Sequence, residues 1–151
     1  MKLATPKEIL ASGEIQRHEV EVFDRKDKIG KGLRTKRPYR KNEKIAVIFG
    51  KLRTVEEATC NNYSLRINSK YLIDCRPSIN KPTSERSPFT GCYANDAKGL
   101  VGKRNNAAFE FGKISTGGEV AWLIATHPIA KGEEVFVKYG SGYWRNYPCQ
   151  K

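Results

Sequence analysis

Tyr139 is the residue of this 151-residue chain best placed to do chemistry. It follows Glu134-Val135-Phe136-Val137-Lys138, an apolar/polar alternation that predicts a short strand, and Gly140 bends the chain directly after it. A hydroxyl at a strand end beside a glycine-rich bend is held at a set point in a cleft, where it can align or polarise a reacting group. Tyr143 and Trp144 come next and supply aromatic surface beside it. The other routes to chemistry are poorly supplied. His18 and His127 are the only histidines, without the flanking carboxylate or cysteine spacing of a metal site, and no Gly-x-Ser-x-Gly elbow presents a serine. Gly30-Lys31-Gly32 is a turn that lacks the rest of either phosphate-loop pattern.

The elements that must position these residues are short. Thr5-Pro6-Lys7-Glu8 is a capping box with proline at the first helical position, opening a helix of about two turns that Ser12-Gly13 closes. Val20 and Val22, alternating with Glu19 and Glu21, predict a half-exposed strand within residues 14–23. A polar turn over Asp24 to Lys31 leads to an extended Leu33-Arg34-Thr35, and Arg40 to Glu43 is a second turn. Ile45 to Phe49 reads as a buried strand stopped by Gly50, and Thr54-Val55-Glu56-Glu57 as a second capping box opening a helix to about Thr59. Tyr63 to Ile67 and Tyr71 to Asp74 predict a hairpin about Asn68-Ser69, followed by a long loop from Arg76 to Gly91. Ala107 to Phe111 and Val120 to Ala125 predict strands about the turn Ser115 to Gly118. About eight short strands with little helix predict a mainly β fold in one domain.

Charge and cysteine usage narrow the partners and the compartment. With 28 Lys and Arg against 16 Asp and Glu the net charge is +12, and ten of the cations fall between Arg25 and Lys44, facing only Asp27 and Glu43. Such a run predicts non-specific contact with a polyanion such as DNA. Tyr39 is the lone aromatic within it, too few for base stacking. Cys60, Cys75, Cys92 and Cys149 are separated by 15, 17 and 57 residues, with no Cys-x-x-Cys knuckle, so no structural zinc is expected. The first residues lack the apolar core of a secretory signal and no apolar run is long enough to span a membrane. A reducing compartment with free thiols is therefore expected.

Four separated segments say more together than apart. They are Gly30-Lys31-Gly32-Leu33, a strand ending Phe49-Gly50, Cys92-Tyr93-Ala94-Asn95-Asp96 answered by Asn105-Asn106-Ala107, and Gly132-Glu133-Glu134 with Tyr139-Gly140. In this order and at these intervals, residues 18–144 resemble the SET-domain protein lysine methyltransferases. Residues 1–17 would then form a leading helical segment, and residues 145–151 a short tail without a zinc-binding module. The resemblance implies several small β-sheets with short helices and a C-terminal pseudoknot, in which the Asn segment and the Tyr strand pass through one another. It implies S-adenosylmethionine as methyl donor, bound by the backbone around Ile29, Lys31 and Gly32 with Tyr93, Asn95 and Asp96, and Trp144 stacked on the adenine. Tyr139 would be the catalytic tyrosine, and Phe49, Tyr93 and Tyr143 the walls of the lysine channel. The substrate it implies is a lysine-bearing tail, with histone in nuclear chromatin the family's commonest. A degraded chromatin- or nucleic-acid-binding module and a methyltransferase for another basic protein are the alternatives.

The residue types suit that reaction. A lysine in water, with a reference pKa of about 10.4, is almost wholly protonated at neutral pH. An aromatic channel and a neighbouring cationic donor both disfavour the ammonium form. Alignment and exclusion of water are then the remaining demands, and no histidine is required. The chain departs from the family's pattern in three places. Asp96 stands where the family has His, 11 residues separate Asn95 from Asn106 with Lys98 to Arg104 inserted between, and Lys138 stands where many members carry Asp.

Overall fold

The computed structural model describes residues 1–16, 19–57, 64–75 and 88–138. Helix α1 (Pro6–Ala11) starts where its local chemistry places it. Thr5 Oγ1 accepts from the Glu8 amide at 3.2 Å, Glu8 Oε1 accepts from the Thr5 amide at 3.0 Å, and Gly13 leaves the helix with φ 73°. Eight strands follow in three small antiparallel sheets. β1 (Val20–Asp24) pairs with β2 (Lys31–Thr35) in register Val22↔Leu33. β3 (Lys44–Val47), β7 (Ala107–Lys113) and β8 (Glu119–Ala125) form a sheet with β8 central. β4 (Lys51–Thr54), β5 (Ser64–Arg66) and β6 (Tyr71–Asp74) form the third, with β6 central.

Strand β8 is buried along nearly its whole length because both of its faces are covered. Ala121, Leu123 and Ala125 join Leu33, Tyr39, Ile45, Ile73 and Val137 in the larger core. Val120, Trp122 and Ile124 face the other way, onto Ala4, Ile9 and Ile15 of the N-terminal segment. The period of two along one strand therefore divides two cores, and Ala4, Ile9 and Ile15 of the N-terminal segment contribute to the second of them. Gly50 and Gly91 permit the closest approaches. A Cβ on Gly50 would lie 2.2 Å from the Asp74 carbonyl oxygen, and one on Gly91 would lie 2.5 Å from Ile48 Cδ1.

Three expectations change. Thr54 and Glu57 make the reciprocal bonds of a capping box, but residues 55–57 form a turn, and the expected helix to Thr59 runs outside the described residues. The chain just before it, Lys51–Thr54, is strand β4, made so by its pairing with β6. Glu134 to Lys138 is extended but forms isolated bridges, Arg34↔Glu134, Asn95↔Phe136 and Ala107↔Val137, instead of a continuous ladder. Cys75 and Cys92 are joined in a disulfide, so the expectation of free thiols fails for this pair. The bond ties the end of β6 to a single 3-10 turn, Gly91–Tyr93, packed across β3.

Candidate functional site

The turn between β1 and β2 is built by its own polar side chains. The Arg25 amide donates to the Gly30 carbonyl at 2.8 Å, and Asp24 Oδ1 accepts from the Lys26 amide at 2.8 Å. Asp27 Oδ1 accepts from the amides of Ile29 and Gly30 at 3.0 and 3.4 Å. Lys26 and Gly30 adopt left-handed conformations, φ 58° and 90°, as the reversal requires. Ile29 is left exposed while Gly32 is buried in β2. A Cβ at Gly32 would lie 2.7 Å from Glu134 Oε2 and 3.0 Å from the Phe23 ring, so the missing side chain is what lets Glu134 lie against β2.

Two asparagines hold the segment that leads to Tyr139. Asn95 Nδ2 donates to the Lys31 carbonyl at 2.9 Å, and the Asn95 carbonyl accepts from the Val137 amide at 2.8 Å. Asn106 is buried; its Nδ2 donates to the Glu134 carbonyl at 3.0 Å and to Glu133 Oε2 at 3.3 Å. Its Oδ1 accepts from the Phe136 amide at 2.8 Å, while the Asn106 and Ala107 amides donate to the Phe136 carbonyl at 2.9 and 3.0 Å. Residues 134–138 therefore run between the Asn95 segment on one side and Asn106-Ala107 on the other.

Lys31, Gly32, Asn95 and Glu134 are thus brought together. Asp96 is buried, and its Oδ1 accepts from the Lys98 amide at 2.9 Å, while Asn105 Oδ1 accepts from the Ala97 amide at 2.9 Å. These two side chains brace the inserted loop. Tyr93 is half-buried against the larger core, whereas Phe49 packs against the smaller one, edge-on to Phe89 with ring centroids 5.7 Å apart. Tyr139, Tyr143 and Trp144 lie outside the described residues, and Lys138 is the last described residue before them.

Sequence reasoning missed Arg25 and its partners. Its guanidinium, only 10% exposed, meets Asp27 Oδ2 at 2.9 Å and also bonds Glu134 Oε1. Burial acts to lower the Arg25 pKa, but the bonds to Asp27 and Glu134 outweigh it and the net shift is upward; Arg25 in turn holds the Asp27 carboxyl below its ordinary value. Glu134 Oε2 is buried with no hydrogen-bond partner among the described residues. The only sequence signal for this cluster was an arginine two residues before an aspartate.

The basic run is also less open than its composition suggested. Arg34 and Lys36 both pair with Glu21, at 3.1 and 2.9 Å. Arg37 pairs with Glu19 and Glu43, at 2.9 and 3.0 Å, and Lys44 with Glu14 at 3.3 Å. With Arg25, five of the ten cations are neutralised by carboxylates, most of them distant in sequence. Lys26, Lys28, Lys31, Arg40 and Lys41 make no ion pair among the described residues. Among those residues, too, no helix is long and apolar enough to cross a membrane.

The family model described as the SET domain matches residues 30–140. Among solved structures the chain is similar to a Plasmodium falciparum protein described as a "putative histone methyltransferase", with a TM-score of 0.56 and 23% sequence identity. The likeness covers 87% of this chain and 100% of that one, and it shows the fold. No curated protein matches the chain.

Proposed function

We propose, from the premise that the chain belongs to the SET-domain family of protein lysine methyltransferases, that it transfers a methyl group from S-adenosylmethionine to a lysine of a histone in nuclear chromatin. The observation that carries this reading is the convergence of Lys31, Gly32, Asn95 and Glu134 on the segment that runs directly into Tyr139. One feature bears on the donor: Glu134 Oε2 fills the space a Gly32 side chain would take and has no hydrogen-bond partner among the described residues, while Oε1 bonds Arg25. S-adenosylmethionine supplies a methyl group activated on a cationic sulfur. The backbone at Ile29, Lys31 and Gly32 would hold it with Asn95 and Asp96, and Trp144 would cover the adenine.

Phe49, Tyr93 and Tyr143 would line the lysine channel, excluding water and favouring the neutral amine. Tyr139 would align the methyl group through its hydroxyl and accept weak C–H···O contacts from it. Lys26, Lys28, Lys31, Arg40 and Lys41, which make no ion pair among the described residues, support contact with DNA while the substrate tail is bound elsewhere.

The test is mass measurement of histones and basic peptides, histone and non-histone, after incubation with isotopically labelled donor. Methylated lysine is expected, and Tyr139→Phe is expected to slow the reaction by about 100-fold, the scale of removing one placed polar group at a reacting centre. No transfer, or an unchanged rate in the variant, overturns the catalytic reading. One observation favours a second reading: Asp96, in the family's histidine position, is engaged with the inserted loop. On that reading the chain is a chromatin-binding module without donor chemistry, and calorimetry decides, because such a module binds no donor.

A further inference from the structure

We infer that Arg25 is the positioning residue of the donor site, the clamp that fixes the β1–β2 turn against the segment entering Tyr139; this rests on the proposed donor site. Three sets of contacts meet at its guanidinium. Nε donates to Asp27 Oδ2 at 3.1 Å and Nη2 meets the same oxygen at 2.9 Å, and that carboxylate in turn receives the amides of Ile29 and Gly30. Nη1 reaches Glu134 Oε1, 109 positions further along the chain. The guanidinium carbon also stands 5.8 Å from the centre of the Phe136 ring.

One planar cation with several donors thus fixes the turn carrying Ile29 and Gly30, the carboxylate under Gly32, and the aromatic three residues before Tyr139. The circuit closes on the far side. Asn95 bonds the Lys31 carbonyl and accepts from the Val137 amide, so turn and segment are joined at both ends. Removing Arg25 opens one end. It frees Asp27 to leave the turn and leaves Glu134 buried without its cation, so the backbone around Gly32 loses its set distance from the segment. A lysine could replace the charge but not bond both carboxylates in the same fork.

The effect falls on donor affinity, because the turn with Ile29 and Gly30 belongs to the donor side and none of the groups Arg25 contacts belongs to the proposed lysine channel. Donor binding by calorimetry is measured for wild type, Arg25→Met, Arg25→Lys, Glu134→Gln and the double variant Arg25→Met/Glu134→Gln, with rates taken at saturating donor. Arg34→Met is the control, an arginine whose side chain pairs with Glu21 and stacks on Phe23 and makes no ion pair with Asp27 or Glu134; its bridge to Glu134 is made by the backbone and survives the substitution. Arg25→Met is expected to raise the donor Kd at least tenfold while the rate at saturating donor stays within threefold. Arg25→Lys should fall between, Arg34→Met should match wild type, and the double variant should bind no worse than the weaker single one. Arg25→Lys keeps a cation in the cluster and serves as the readable variant if Arg25→Met does not fold. Unchanged donor affinity in both Arg25 variants overturns the inference alone, as does an equal loss in Arg34→Met. A wild-type protein that binds no donor overturns the proposed function with it.

Discussion

Asn106 shows what one buried amide can organise. It is 4% exposed, and its side chain serves a carboxylate, a carbonyl and an amide of residues 133–136. Replacing it with alanine leaves the Phe136 amide and the Glu134 carbonyl without these partners. A buried group left unpaired costs roughly 1–3 kcal/mol, so Asn106→Ala is expected to lower stability by about 2–4 kcal/mol. Urea unfolding measures this, and a loss below about 1 kcal/mol would show that water takes the amide's place. The sequence made Asn106 conspicuous through its pairing with Asn95, but not its partners, because a buried amide's bonds depend on which distant backbone arrives beside it. Arg25 was hidden for the same reason: its decisive carboxylate lies 109 residues away.

Local elements were legible where their causes are local. Thr5, Pro6 and Glu8 lie within one turn of each other and specify α1 without help. The apolar run of β8, the turn at Ser115 to Gly118 and the hairpin at Asn68 could be read for the same reason; Asn68 Oδ1 accepts from the amides of Lys70 and Tyr71 at 2.8 Å. Strand β4, Lys-Leu-Arg-Thr, has no such signature and is extended because β6 pairs with it. The Cys75–Cys92 link was equally illegible, since a spacing of 17 residues says nothing about direction in space. Closing a loop of that size contributes about 3 kcal/mol in the chain-entropy account. Dithiothreitol is therefore expected to lower the unfolding midpoint of wild type while leaving Cys75→Ser/Cys92→Ser, already lower, unmoved. Equal midpoints with and without reductant in the wild type would refute the link's contribution.

At the scale of the whole molecule, a net charge of +12 promised a broad cationic face, and folding halves the richest stretch of it. Glu14, Glu19, Glu21 and Glu134 each come to a cation of residues 25–44 from outside that run. Salt dependence separates the two groups of cations, because each neutralised phosphate contributes a slope of about −0.9 in log K against log salt. Lys26→Ala with Lys28→Ala is expected to make the slope for duplex DNA shallower by about 1.8. Lys36→Ala, whose ammonium already sits on Glu21, should change it little. Equal changes in both variants would mean that the ion pairs open on DNA and that composition was the better guide. A mainly β chain of short strands and the order of the site segments were readable along the chain; the second core, built by Ala4, Ile9 and Ile15 on the back of β8, was not, since a strand buried on both faces does not say what covers it. The passage of residues 134–138 between Asn95 and Asn106 has a consequence for biosynthesis. A nascent chain that has not yet emerged through Val137 can form β1, β2 and most of both cores, but its two asparagines still face water across an empty slot. The ribosome therefore delivers the two asparagines before the segment they hold.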